Sequence, residues 1–435
     1  MIKTSPIKTI HVGILGLGTV GSGVYQILKS HAKSIEEKSG LRFFIKKVCV
    51  KNPAKKRRPR VPRGILTRRP SDLWKDPAID IVVELIGGIH PAKETILEAF
   101  RHGKHVVTAN KALLAEEGRI LFQEAAAHHK KLGLEASVCG GIPIIKSLTE
   151  GLASNRISHF LGIVNGTCNY ILSAMSDRPY AFGEALKEAQ GRGYAESNPA
   201  LDIDGVDSAH KLAVLARLAF GAEFPFRSIH VEGIRGLKAL DVAYARELGY
   251  VIKLLAIGKR LRNGLELRVH PTMLPLDHPL SNVRGVYNAV FVHADQAGDL
   301  LFYGRGAGMF PTASAVVSDI IDIAKKISQD ADVEPPAFSW VSRQKVLPIG
   351  NVVSQYYLRF QVADKPGVLG RIAQSLGKHG ISILSVHQKE PLSTRSVPVI
   401  ILTYEAQEKN LKSALSEINK ARDVREKTVV MRVER

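Results

Sequence analysis

Residues 194–212 read YAESNPALDIDGVDSAHKL, in a chain that carries 61 Lys and Arg against 41 Asp and Glu. Four carboxylates, Glu196, Asp202, Asp204 and Asp207, fall within a dozen residues, in a run broken by Asn-Pro and Asp-Gly. Lys211 follows Asp207 by four, so on a helix the two share a face. Alone, such a pair is an ordinary surface ion pair worth about 0.3–0.5 kcal/mol. A second candidate is GLGTVGSG, where Gly16, Gly18, Gly21 and Gly23 include the spacing G-x-G-x-x-G. A third is Cys168 in NGTCNY. A thiolate there would suit aldehyde oxidation through a thioester, but no His is placed to activate it, so packing is the reading.

The elements around these residues decide what they can do. TIHVGIL, residues 9–15, is β-rich and apolar, and VYQILKSHAKSIEEKSG after the glycines reads as a helix. Strand, glycine turn and helix together predict a dinucleotide fold: glycine lets the backbone approach a pyrophosphate, whose charge meets the N–H groups at the helix start. FFIKKVCV, AIDIVVELIGG, KHVVTANK and LGLEASVCGG read as further strands, with helices over PAKETILEAFRHG and ALLAEEGRILFQEAAAHHKK. Ligands bind beyond the carboxyl ends of such strands, which puts Gly87, Gly88, Thr108, Asn110 and Lys111 along one crevice edge. An acid ending the second strand would bind the ribose 2′-hydroxyl of NAD. Here the chain has Lys51, Lys55, Lys56, Arg57 and Arg58 instead, which favours NADP(H).

Strand-like pieces follow in YVIKLLAIGKRL, LELRVHPTML and YNAVFVHADQAGDLLFYG, suggesting an α+β domain. GRGAGMFPTASAVVSDIIDIAKKI reads as a glycine loop and a long helix that returns to the first domain. After a polar, Pro-rich linker, the last segment reads strand, helix, strand, strand, helix, strand, a ferredoxin-like order. The fold class is therefore α/β: a Rossmann-type dinucleotide-binding domain over 1–134, completed by the helix near 310–328; an α+β substrate and dimerisation domain over 135–309; a linker over 329–352; and a ferredoxin-like module over 353–435.

The 435 residues are 45% hydrophobic and 23% charged, as in a globular protein. No apolar run reaches the roughly 20 residues a membrane span needs, and the start has no signal-peptide pattern. A cytoplasmic protein is expected, without membrane or nucleic-acid partners. The net charge of +20 is densest in KNPAKKRRPRVPRGILTRR, which has no interleaved aromatics to stack bases. Cys49, Cys139 and Cys168 are too few and too scattered for a disulfide framework.

These motifs name a family. HVGILGLGTVGSGV, DIVVELIGG, VVTANKALLA, EASVCGGIPII, NGTCNYIL, GYAESNPALDIDGVDSAHKLAVLA, GRGAGMFPTASAVVSDI and VADKPGVLGRIA resemble homoserine dehydrogenases with a C-terminal ACT domain, over nearly the whole chain. The resemblance implies reversible NAD(P)-linked interconversion of L-homoserine and L-aspartate 4-semialdehyde. It implies substrate contacts at Glu196 and Asp207, with Asp202 supporting the site, because homoserine carries an ammonium group. Lys211 matches the family's proton donor and Lys111 a second active-site lysine; a lysine with a lowered pKa can take the proton of the alcohol. It further implies cofactor contacts at Gly16, Leu17, Gly18, Thr19, Val20, Lys51, Lys111, Gly193 and Gly308. Sodium or another monovalent cation is implied on Glu135 and the carbonyls of Val138, Gly140 and Ile142. The ACT signature Asp364–Ile372 implies a threonine effector, and the family a homodimer or higher homo-oligomer. The chain departs from the family at Lys51, often Arg, which leaves NAD usable, and at Met309, often Gly. A regulatory or nucleic-acid-binding protein on this scaffold is the non-enzyme alternative.

Overall fold

The computed structural model describes residues 7–178, 180–329, 342–388 and 396–434. The chain forms two compact units, one of Met1–Ile157, His210–Phe226 and Tyr287–Gln344, the other of Ser158–Ala209, Arg227–Val286 and Lys345–Arg435.

In the first unit the strands Leu66–Thr67, Leu41–Cys49, Lys8–Leu15, Ile81–Glu84, His105–Thr108 and Leu132–Gly133 lie in that order, every pair parallel. This is the doubly wound order of dinucleotide-binding folds. The central strands are apolar on both faces, as a sheet covered on both sides requires. Ile10, Val12 and Ile14 pack with Val24 and Leu28 of the helix Thr19–Ser30 and with Ala313, Val316 and Ile320 of the helix Met309–Ser328. Gly23 makes that helix pair possible: a Cβ there would meet the Ala313 Cβ at 2.8 Å and the Met309 carbonyl at 2.9 Å.

Two sequence expectations change. The helix expected after the glycine turn breaks at His31, whose N–H closes the first helix on the Ile27 carbonyl, and restarts as Ala32–Ser39. LGLEASVCGG keeps a strand only at Leu132–Gly133. Cys139 and Gly140 take φ of 56° and 51°, which an extended strand excludes, and Glu135–Ser137 forms a 3-10 turn.

The second unit is built on the strands Ile157–Ile163, Tyr250–Leu261, Gly264–Pro275, Val424–Val433, Val353–Val362, Val397–Thr403 and Ile383–Gln388, paired in that order. The last four, with the helices Val368–Lys378 and Glu408–Ile418, follow the expected βαββαβ order around a core of Tyr356, Leu358, Phe360, Ile372, Leu376 and Leu411. Residues 330–341 of the expected linker lie outside the described residues; the remainder holds a 3-10 turn at Ile349–Asn351.

The ferredoxin-like module is joined to the rest of its unit through the sheet. Thr272 and Met273 pair in parallel with Arg432 and Val433. A buried ion pair reinforces the joint. Arg359 Nε and Nη2 donate to Asp241 Oδ1 and Oδ2 at 2.6 and 3.0 Å, with side chains 2% and 0% exposed, and Tyr357 donates to the same carboxylate at 3.1 Å. Breaking one side of such a pair strands a buried charge at a cost of about 3–5 kcal/mol, whereas replacing both partners with neutral groups costs far less. Arg359→Met is therefore expected to lower the denaturation midpoint sharply, and adding Asp241→Asn to restore most of it; equal losses in single and double variants would show that the pair does not hold the joint.

Candidate active site

In the first unit the glycines take separate jobs. Gly16 has φ +99°, and a Cβ there would meet the Leu85 carbonyl at 2.7 Å. A Cβ on Gly21 would meet the Gly16 carbonyl at 2.2 Å, so that glycine lets the helix start against the turn. Gly18, the N-cap, faces open space, and no side chain caps the helix it begins. Leu17 is buried, while Gly18 and Thr19 are exposed and Val20 is half-buried. A cavity of about 360 Å³ lies over this turn, lined by Gly16, Leu17, Gly18, Lys51, Arg57 and Arg68 among others. Arg57 is fixed in its loop by bonds to the Asn52 and Lys55 carbonyls at 2.6 and 2.9 Å. It also lines a second cavity of about 620 Å³ with Lys55, Lys56 and Arg58. The basic run is thus gathered beside the glycine turn. Cys49 lies in the same wall, its thiol pushed up to about 11 by burial, which makes it inert near neutral pH.

The crevice edge is organised by a residue that sequence reasoning passed over. Glu84, fully buried at the end of its strand, accepts from the Ile86 and Gly87 N–H groups at 2.8 and 3.2 Å and from the Thr108 hydroxyl at 2.6 Å. Thr108 accepts from the Asn110 N–H, and Asn110 donates to the Gly88 carbonyl at 2.6 Å. The Asn110 side-chain oxygen accepts from the Leu113 N–H, capping the helix Lys111–Ala127. Lys111 therefore opens a helix whose start is locked to both glycines. An acid at the end of an otherwise apolar strand was the signal available in DIVVELIGG.

Arg217 ties a second lysine-bearing helix to this one. On the helix Val206–Phe220, it donates to the Leu114 and Ala115 carbonyls at 2.9 and 2.7 Å, and His210 lies 3.5 Å from Glu116. Lys211 stands on this helix, 9% exposed. Gly308, with φ +122°, caps the helix Met309–Ser328.

The turn expected to hold a cation is also in this unit. Glu135 is buried and its carboxylate accepts from the Ile145 and Lys146 N–H groups at 2.8 and 2.9 Å. Each oxygen keeps a lone pair. Burial raises the Glu135 carboxyl above its usual range despite those bonds. The Ile142 carbonyl accepts from the Ile144 N–H at 2.7 Å, and a Cβ on Gly140 would meet the Gly306 carbonyl at 2.6 Å. Positive φ at Cys139 and Gly140 folds the segment between Val138 and Ile142 back on itself. Glu135 is thus a desolvated carboxylate in the same segment as the Val138, Gly140 and Ile142 carbonyls, all of them hard oxygen donors.

The second unit holds the acid-rich loop. Asn165 donates through Nδ2 to Asp202 Oδ1 at 2.7 Å and to Asp207 Oδ2 at 2.8 Å, while its Oδ1 accepts from the Cys168 N–H and caps the helix Gly166–Asp177. One amide thus holds two carboxylates together, with Asp207 7% exposed. Sequence reasoning did not find Asn165; an Asn followed by Gly-Thr at a strand end was its cap signal. Asp204, the third carboxylate of the run, turns away to Arg235 in a two-point ion pair. Glu196 is exposed, its backbone carbonyl accepting from Gln190, and it shares no hydrogen bond with the Asn165 pair among those described. Gly193, with φ +73°, turns the chain into this loop. Cys168 is fully buried and its thiol donates to the Asp202 carbonyl at 3.2 Å, in keeping with packing. Asp207 and Lys211 lie four residues apart on the helix Val206–Phe220.

Three family models match successive parts of the chain. Residues 16–135 match the family model for the NAD-binding domain of homoserine dehydrogenase, 143–321 that for homoserine dehydrogenase, and 356–423 that for the ACT domain. A homoserine dehydrogenase of Neisseria gonorrhoeae is 45% identical over 428 residues, covering 98% of each chain. The crystal structure of a homoserine dehydrogenase from Thiobacillus denitrificans superposes with a TM-score of 0.92 at 45% identity, over 98% of this chain and 99% of that one. A hyperthermophilic archaeal homoserine dehydrogenase in complex with NADPH gives 0.61 at 26% identity, over 73% of this chain and 98% of that one.

Glu84 offers a direct check on how the crevice is held. Glu84→Ala frees two N–H groups and a hydroxyl beside the dinucleotide turn, and should weaken binding of reduced dinucleotide about tenfold or more in a fluorescence titration. Unchanged affinity would mean that the glycine edge does not bear on the dinucleotide.

Proposed function

The chain belongs to the homoserine dehydrogenase family, NAD(P)-dependent oxidoreductases acting on a CH–OH group, and from that premise we propose how its residues divide the work. Asp207 and Glu196 hold the ammonium group of L-homoserine, with Asp202 held beside Asp207 to concentrate negative charge. The observation that carries this reading is the Asn165 amide bridging Asp202 and Asp207, which gathers two carboxylates in one place, the charge an ammonium group is drawn to. Lys211, one helical turn beyond Asp207, takes the proton of the hydroxyl during oxidation and returns it to the carbonyl in reverse. A bound nicotinamide would supply the hydride acceptor for the carbinol carbon. Lys111, at the start of its capped helix, contacts cofactor or substrate.

The turn Gly16–Val20 holds the pyrophosphate, with Gly193 and Gly308 as further cofactor contacts. Lys51, joined by Arg57 and Arg68, favours the 2′-phosphate of NADP over the 2′-hydroxyl of NAD; an NADPH complex within the family is consistent with this. Glu135, with the carbonyls of Val138, Gly140 and Ile142, fits sodium or another monovalent cation, whose charge would offset the cost of the buried carboxylate. The ACT module points to an amino-acid effector, and we take threonine as the candidate. A cytoplasmic homodimer or higher homo-oligomer completes the proposal; among the described residues no helix is long and apolar enough to cross a membrane.

Reduction of NADP and of NAD by L-homoserine, followed at 340 nm in wild type and Lys211→Ala, tests the assignment. The expected result is turnover with a preference for NADP, falling by about 10²–10⁴ in kcat in the variant. A fully active variant, inactivated instead by thiol alkylation, would move the chemistry to Cys168.

A further inference from the structure

The acidic loop is gripped from behind by a short strap, residues 232–235, and the strap is anchored in the ACT module. At its outer end, Glu232 accepts from Arg432 Nη1 and Nη2 at 3.1 and 3.0 Å and from His230 Nε2 at 2.7 Å. Arg432 lies on the last strand of the module, 5% exposed at its side chain, and is fixed there by two 2.7 Å bonds to Glu408 of the module's second helix. The Glu232 N–H donates to the Val269 carbonyl at 2.7 Å, which fixes its backbone to the sheet. Burial opposes ionisation of Glu232, but the bonds from His230 and Arg432 outweigh it and hold the carboxyl well below its usual range.

At its inner end the strap meets the loop backbone to backbone. A Cβ on Gly233 would lie 2.2 Å from the Ile203 carbonyl and 2.5 Å from the Asp204 Cα, so no other residue fits without moving the loop. The Ile234 N–H donates to the Ile203 carbonyl at 2.8 Å, and Arg235 grips both oxygens of Asp204. Gly205, with φ +84°, is packed under Val231 and the Glu232 carbonyl. Residues 203–205 are the stretch that joins Asp202 to Asp207. The strap therefore touches the segment that sets the spacing of the two carboxylates.

We propose that Glu232 and Arg235 are positioning residues for the substrate carboxylates, and that Arg432 of the ACT module holds them in place. The ACT module is in this way part of the support of the homoserine-binding loop. Its last strand fixes Glu232, the strap fixes Ile203 and Asp204, and Asp202 and Asp207 follow. The inference rests on the assignment of Asp207 to the substrate.

Steady-state kinetics on the full chain tests it with four variants. Asp207→Asn checks the underlying assignment. Glu232→Ala leaves Arg432 paired with Glu408, and Arg235→Ala removes an exposed side chain, so both should fold; Glu232→Gln keeps the side-chain length and, through its one oxygen, two of the three hydrogen bonds. Glu232→Ala and Arg235→Ala should each raise the KM for L-homoserine by about tenfold or more, leaving the KM for the dinucleotide and the melting temperature near wild type, with Glu232→Gln recovering much of the loss. If Asp207→Asn raises that KM and the strap variants do not, the strap proposal is wrong and the assignment stands. If Asp207→Asn leaves it unchanged, the assignment fails and the strap proposal with it. Equal changes in both KM values and in melting temperature would mark the strap as scaffold only.

Discussion

One side-chain amide holds two carboxylates within hydrogen-bond reach of a single nitrogen. Asn165 Nδ2 donates to both Asp202 and Asp207, and like charges so placed repel unless a cation joins them. Much of the second unit serves this arrangement. Asn165 is itself fixed as the cap of the helix Gly166–Asp177. The loop between the acids is held by the Gly233–Arg235 strap. Asp207 then begins the helix that carries Lys211. In the proposed reading this gathered negative charge meets the ammonium of the substrate.

The first unit presents the opposite sign. Lys51, Arg57 and Arg68 line the cavity over the glycine turn, and an uncapped helix start adds its own partial positive charge. The strong positive charge of the chain thus has a local concentration where an anionic dinucleotide would bind. In the proposed reading the cofactor's phosphates are met by the basic cavity of the first unit and the substrate's ammonium by the carboxylates of the second.

Much of this was legible in the sequence because it depends on local order. Glycine spacing between a strand and a helix, and the βαββαβ order of the last segment, are set by neighbours in the chain, and both appear as expected. What escaped depends on distant partners. Glu84 reads as one polar residue in an apolar strand until Thr108, 24 residues on, is brought beside it. Asn165 is 37 and 42 residues from the carboxylates it bridges. Arg68 is separated from Lys51 by a loop whose path periodicity does not describe. LGLEASVCGG was misread in part because its apolar residues suit a strand, whereas the backbone is left-handed at Cys139 and Gly140, and Gly140 lies close against Gly306, far along the chain.

The claim at the centre is that Asp207, with Glu196 and supported by Asp202, reads the substrate's ammonium group. The direct measurement is kcat/KM for L-homoserine against 4-hydroxybutanoate, which keeps the alcohol and the carboxylate and lacks the amine, in wild type and in Asp207→Asn. A charge-assisted contact of about 1.5–3 kcal/mol gives roughly 10–100-fold discrimination in favour of homoserine, and the substitution should erase most of it. Discrimination that survives Asp207→Asn intact, or that is absent in the wild type, would contradict the account.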